Sequence, residues 1–165
     1  MSYNEAFMAR AIELSKAALT KPGTEPFGAV VVLDGEIVGE GLNHSLANLD
    51  PTSHGEVEAI RDACRRLGRV DLSGADLYTS CEPCALCVST MAIAGIAHLY
   101  YAASADQAGQ VLGGLSRKAR HPIDVDHLRM EAGSPVAERD MPAEQHMQSQ
   151  ANDVIVSWSR MKQEG

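Results

Sequence analysis

The chain has 165 residues, a length that suits one domain, and its 45% apolar content is enough for a single core. Only 4% of residues are aromatic, so that core is expected to be aliphatic. The net charge of −8 argues against a polyanionic partner, because phosphate contacts need clustered Lys and Arg. In chain order, Ser2-x-x-Glu5 reads as a capping box opening a first helix, with Phe7, Ala11, Leu14 and Ala18 at helical spacing and Lys21-Pro22-Gly23 as its stop. Gly28 to Leu33 is a β-branched run, and Asp34-Gly35 is a hairpin signal leading to a return strand over Glu36 to Leu42. A polar loop spans Asn43 to Ser53. The next helix opens at His54, with Val57, Ile60, Cys64 and Leu67 as its buried stripe, so Cys64 reads as core.

Ala75 to Ser80 predicts a strand, and Pro83 suits the first turn of a helix beginning near Cys84. Ile96 to Ala102 predicts another strand, and Asp106 to Leu112 a helix. Residues 113–139 carry no clear pattern. Pro142 is expected to begin a last helix whose Met147, Ala151, Val154 or Ile155, Trp158 and Met161 would pack as core. The order is helix, β hairpin, then alternating helix and strand with a helical tail. That order implies an α/β fold with a mixed sheet and helices on both faces.

The densest chemistry lies in two short strings, His54-Gly55-Glu56 and Pro83-Cys84-Ala85-Leu86-Cys87. One imidazole and two thiols form a ligand set that suits Zn²⁺. Three protein ligands leave the fourth tetrahedral position open to water, the catalytic arrangement. Glu56 is not needed as a ligand and stands two residues from His54, where it can take and return a proton. Both ligand groups fall at helix N-termini, where the positive dipole end favours thiolate over thiol. H-x-E…P-C-x-x-C is the pattern of zinc deaminases. The competing reading is a structural Cys₃His zinc module closed by Cys81, which would leave Glu56 and Pro83 without a purpose.

No apolar run approaches the roughly 18 residues a membrane helix needs. The N-terminal residues carry no signal-peptide pattern, and four cysteines with two in C-x-x-C suit a reducing compartment, so a cytoplasmic protein is expected. The one basic cluster, Arg117-Lys118-Ala119-Arg120-His121, is read as a solvated loop.

Four strings carry a resemblance: Pro26-Phe27-Gly28-Ala29-Val30, Glu40-Gly41-x-Asn43, Asp50-Pro51-Thr52-Ser53-His54-Gly55-Glu56 and Tyr78-Thr79-Ser80-Cys81-Glu82-Pro83-Cys84. On them the chain resembles the cytidine deaminase-like superfamily, and within it the bacterial guanine deaminases and related nucleobase deaminases, over roughly residues 5 to 105. The resemblance implies a three-layer α/β/α sandwich with a mixed, roughly five-stranded sheet. The whole chain, 1–165, would be a single zinc-dependent deaminase domain with 140–165 as a helical tail. One Zn²⁺ per chain would be held by His54, Cys84 and Cys87, with Glu56 shuttling protons.

For substrate the resemblance implies that Asn43 hydrogen-bonds the ring, that Phe27 packs on its face, and that the backbone near Gly55 and Ser80 meets the reacting edge. On the residues alone, Asn43 could equally tie a turn and Phe27 could be plain core. The partners implied are a small-molecule nucleobase and a second copy of the chain in a homodimer, with no nucleic acid and no membrane. Guanine is the first substrate, cytosine or a small aminopyrimidine or aminotriazine the second, then a nucleoside or tRNA adenosine. Three departures bear on this order. His-Gly-Glu stands where many guanine deaminases have His-Ala-Glu, and Leu112-Gly113-Gly114 stands where they carry a Phe-Asp-Asp stretch that offers the base a carboxylate. The aromatic terminus expected of them is also missing, with Trp158, Asp153 or Glu138 as candidate substitutes.

Overall fold

The β-branched run after Phe27 becomes the centre of a sheet. The structure, a computed structural model, describes residues 2–163. In order the elements are α1 (Glu5–Lys16), β1 (Glu25–Leu33), β2 (Glu36–Asn43), α2 (Ser45–Asn48), α3 (Gly55–Leu67), β3 (Asp76–Cys81), α4 (Ala85–Ala94), β4 (His98–Ala103), α5 (Ala105–Leu112), α6 (Val125–Gly133) and α7 (Gln148–Gln163). The sheet order is β2-β1-β3-β4, with β1 antiparallel to both neighbours and β4 parallel to β3. The hairpin turns on Asp34 and Gly35, both in the left-handed region at φ 52° and 83°, as a type I′ turn requires.

Residues 28–32 of β1 are buried without interruption because the strand is covered on both faces. Ala29 and Val31, with Leu77 of β3, meet Ala59, Ile60 and Ala63 of α3 and Met91 and Ala94 of α4. Val30, Val32 and Tyr78 meet Met8 and Ala11 of α1 on the other side. Small residues set how close α3 can come. A Cβ at Gly39 would collide with the Ala59 carbonyl, and one at Gly41 with the Gly55 carbonyl. The expected α/β/α layering with a mixed sheet is the observed architecture, with four strands where roughly five were expected. After β4 the chain turns at once into α5, because Ser104 and Gln107 form a reciprocal capping box there.

Several boundaries differ from the sequence reading for local reasons. Helix α1 is capped by Asn4, whose Oδ1 accepts from the Ala6 N–H at 3.0 Å, and not by Ser2. Glu5 is then the first helical residue and cannot close a box. Pro83 lies one residue before the cap of α4, since Cys84 is still extended at φ −76°, ψ 174°. The last helix starts at Gln148 and not at Pro142. Met147 just before it takes a left-handed φ of 55°, which breaks the helical path.

The described chain divides into two compact units, Met1–Arg129 and Met130–Gly165. In the second, the Asp140 N–H donates to Glu131 Oε1 at 2.8 Å and Arg139 Nε donates to the Ser134 carbonyl at 3.0 Å. The apolar stripe expected to be core is exposed. Met147, Val154, Ile155, Trp158 and Met161 each keep 60–70% of their surface accessible. No helix among the described residues is long and apolar enough to cross a membrane.

Candidate metal and active site

Helices α3 and α4 begin with unusual residues. His54 caps α3 and Cys84 caps α4, and neither side chain bonds to its helix's free N–H groups. Ser, Thr, Asp and Asn normally serve there, so an imidazole and a thiol at two neighbouring helix starts answer to something else. His54 Nδ1 lies 3.5 Å from both Cys84 Sγ and Cys87 Sγ, and the two sulfurs are 3.7 Å apart. A tetrahedral zinc with Zn–S of about 2.3 Å and Zn–N of about 2.0–2.1 Å demands N···S edges of about 3.6 Å and an S···S edge of about 3.8 Å. The three side chains already stand at those separations. Among the described residues no fourth His, Cys, Asp or Glu joins the group. Cys81, the ligand of the closed-module reading, instead sets its Sγ 4.0 Å from the Ser104 carbonyl.

The group's electrostatics match its donor set. Cys84 is pulled down to about 4, chiefly by its hydrogen bond with Cys87 and also by His54, against the effect of burial. Cys87 is pushed up by the same bond and by burial. His54 is raised, first by the Cys84 sulfur. Glu56, 5% exposed, is raised by burial. Its Oε2 lies 3.3 Å from Cys87 Sγ, and its Oε1 accepts from the Thr79 hydroxyl at 2.9 Å.

A pinned loop delivers His54. Ser53 donates to Glu58 Oε1 at 2.8 Å, Arg61 joins Glu58 at 2.6 Å and Asp50 at 3.4 Å, and Arg61 also donates to the Thr52 hydroxyl. This explains why Asp50, Thr52 and Ser53 precede the histidine. Gly55 lets α3 start against β1, because a Cβ there would strike the Phe27 carbonyl.

A cavity of about 200 Å³ opens beside the group. His54, Glu56, Cys84 and Cys87 line one side of it, together with Asn43 and Phe27. Asn43 is buried, and its Oδ1 accepts from the Ser45 N–H at 3.0 Å, so it ties a turn and lines the cavity at once. Gly55 and Ser80 do not line the cavity. Ser80 Oγ accepts from the Gly28 N–H at 3.0 Å and fixes the start of the buried stretch of β1. The lining also takes residues between Ala105 and Val125 that are mostly apolar, including Ala108, Leu112, Leu115 and Ile123.

Two residues of this site were missed in the sequence. Thr79 was read only as part of the Tyr78–Cys84 string, one β-branched residue in a strand with no role of its own. Arg120 sat in the cluster read as a solvated loop. It is half-buried, bonds Glu25 at 2.9 Å, and holds its guanidinium 5.7 Å from the Phe27 ring centre. Only its separation from Glu25 by 95 residues made that partner unreadable.

Known proteins are similar to this chain in sequence and fold. The model of the cytidine and deoxycytidylate deaminase zinc-binding region matches residues 1–103. The guanine deaminase of Bacillus subtilis is 37% identical over 139 residues, 84% of this chain and 83% of its own length. The X-ray structure of guanine deaminase from Bacillus subtilis superposes with a TM-score of 0.82 at 33% identity, covering 96% of this chain and 95% of that one. A tRNA-specific adenosine deaminase of Agrobacterium fabrum is 42% identical over 90 residues, 54% of this chain and 59% of its own length. With the family model spanning more than half its length, the chain belongs to the cytidine and deoxycytidylate deaminase family and is a hydrolytic deaminase.

Proposed function

We propose that the chain is a zinc-dependent nucleobase deaminase that converts guanine to xanthine. One Zn²⁺ per chain would be held by His54, Cys84 and Cys87, with residues 1–165 acting as one catalytic domain and 140–165 as its tail. The observation that carries the reading is the His54–Cys84–Cys87 triangle at zinc spacing with the Glu56 carboxylate beside it, on the wall of a cavity. The Bacillus guanine deaminase, similar over most of both chains, supports the choice of base. Zinc bound there supplies Lewis acidity that brings the pKa of water down to about 7.

Glu56 is the proton carrier. It takes one proton from water, whose oxygen bonds the amino-bearing ring carbon. It gives that proton to the adjacent ring nitrogen. It then carries the second water proton from the new hydroxyl to the amino group. The C–N bond breaks, ammonia leaves, and the oxygen remains as a carbonyl. Asn43 hydrogen-bonds the ring and Phe27 packs on its face.

A second reading, cytosine or a small aminopyrimidine or aminotriazine, is favoured by one feature. Besides Glu56, the only carboxylate in the lining among the described residues is Glu82. Its oxygens already meet Arg129 Nη2 at 3.0 Å and the Ala105 N–H at 2.9 Å. Guanine's N1–H and 2-amino donors want acceptors that this lining offers sparingly. The net charge of −8 speaks against tRNA. The active form is read as a homodimer in a reducing compartment such as the cytoplasm, supported by the exposed apolar stripe of α7.

An ammonia-release screen over guanine, guanosine, cytosine, adenine and aminotriazines tests the substrate. Guanine is expected to turn over fastest. Equal rates on guanine and guanosine would overturn the free base, and a faster cytosine rate would install the second reading.

A further inference from the structure

Thr79 is fully buried in the interior of β3, in register with Ala29 on one side and Tyr101 on the other. Its hydroxyl leaves the sheet and donates to Glu56 Oε1 on α3 at 2.9 Å. The other carboxylate oxygen, Oε2, is the one 3.3 Å from Cys87 Sγ. One oxygen of Glu56 is therefore anchored to the strand and the other borders the metal-ligating group. A terminal carboxylate torsion is broad and two-fold, so an unanchored Glu56 has no fixed oxygen to present.

We propose that Thr79 is the positioning residue of the deamination. By holding Oε1, it commits Oε2 as the oxygen that takes the proton from water and returns it to the substrate. The inference rests on the reading that Glu56 carries the proton. It gives the sheet a share in aiming the carboxylate, beside the Glu56 backbone N–H at the start of α3. An error of about 1 Å in such aim can cost on the order of a hundredfold in rate.

Substitution separates aim from packing. Valine keeps the shape of threonine and loses the hydroxyl, while serine keeps the hydroxyl and loses the methyl group. A packing role would be met by Thr79→Val and failed by Thr79→Ser. A positioning role demands the reverse.

The test uses the zinc-loaded full chain with the fastest base from the screen, and compares wild type, T79V, T79S and E56Q. In T79V, kcat is expected to fall about ten- to hundredfold, the worth of one hydrogen bond to a charged group. KM and zinc content should be unchanged, and T79S should recover to within a few-fold of wild type. A crystal structure of zinc-loaded T79V should show the Glu56 carboxylate turned from its wild-type orientation or split between two. Wild-type kcat in T79V, or an equal fall in T79S, would overturn the inference. If T79V does not fold, T79A is read against T79S, and equal kcat values overturn it. An active E56Q would instead overturn the proton-carrier reading beneath it, while an inactive E56Q beside an unaffected T79V sinks only the inference.

Discussion

The wall that holds His54, Glu56, Cys84 and Cys87 rests on two helix starts packed against a sheet buried on both faces. A second wall, from Ala105 to Val125, belongs to α5, the loop after it and the first residue of α6, and most of it is partly or fully exposed. The first is polar and held by named hydrogen bonds. The second is mainly apolar and presents methyl and methylene groups. The difference separates two jobs. Chemistry needs groups fixed to a fraction of an ångström and is given to the sheet. On the proposed function, choice of substrate falls to the second wall.

Substitutions should therefore have opposite signatures on the two walls. The largest effect is expected from Cys87→Ala. Zinc per chain should fall from one towards zero, and ammonia release by roughly 10⁴-fold or more, since water then keeps its ordinary pKa; metal analysis beside the ammonia assay reads both. Leu112→Ala on the second wall should change kcat/KM by roughly 10- to 200-fold, the scale of altered apolar contact. It should leave zinc content untouched and re-rank the bases. Loss of zinc in that variant would erase the distinction between the walls.

Gly55→Ala loads the first wall with a methyl group against the Phe27 carbonyl. It should cost about 1–3 kcal/mol of stability, read as a lowered denaturant midpoint. An unchanged midpoint would mean that β1 can give way there.

The smallest effect concerns pH. Burial holds Glu56 above the ordinary carboxylate range, so its folded pKa exceeds its unfolded one. The stability this lends is fully present below the unfolded value of about 4.3 and is lost as pH rises through the folded value. In chelator-treated protein, wild type should therefore lose stability relative to E56Q as pH rises above the unfolded value of about 4.3. Parallel curves for the two proteins would contradict the raised pKa.

The same contrast governs what could be read from the residues. The first wall was legible because its candidate groups are local: His54 with Glu56, and Cys84 with Cys87, lie within a helical turn of each other. The flanking strand and helix patterns were strong enough to place both pairs at helix starts. The β1–β2 hairpin was legible for the same reason, through Asp34-Gly35. Thr79 and Arg120 were not, because their meaning is a partner 23 and 95 residues away. Residues 113–139 lack any amphipathic period, and α6 there has no buried residue to leave one. The stripe of α7 was read correctly as apolar and wrongly as core, because periodicity reports a face and not what covers it.

The central claim is that the first wall holds zinc through three side chains and moves protons through a fourth that is no ligand. Zinc content and ammonia release measured together on Glu56→Gln test it most directly. The account predicts one zinc per chain, as in wild type, with ammonia release lowered by about 10²–10⁴-fold or more. Zinc lost in step with activity, or activity kept without the carboxylate, would contradict it.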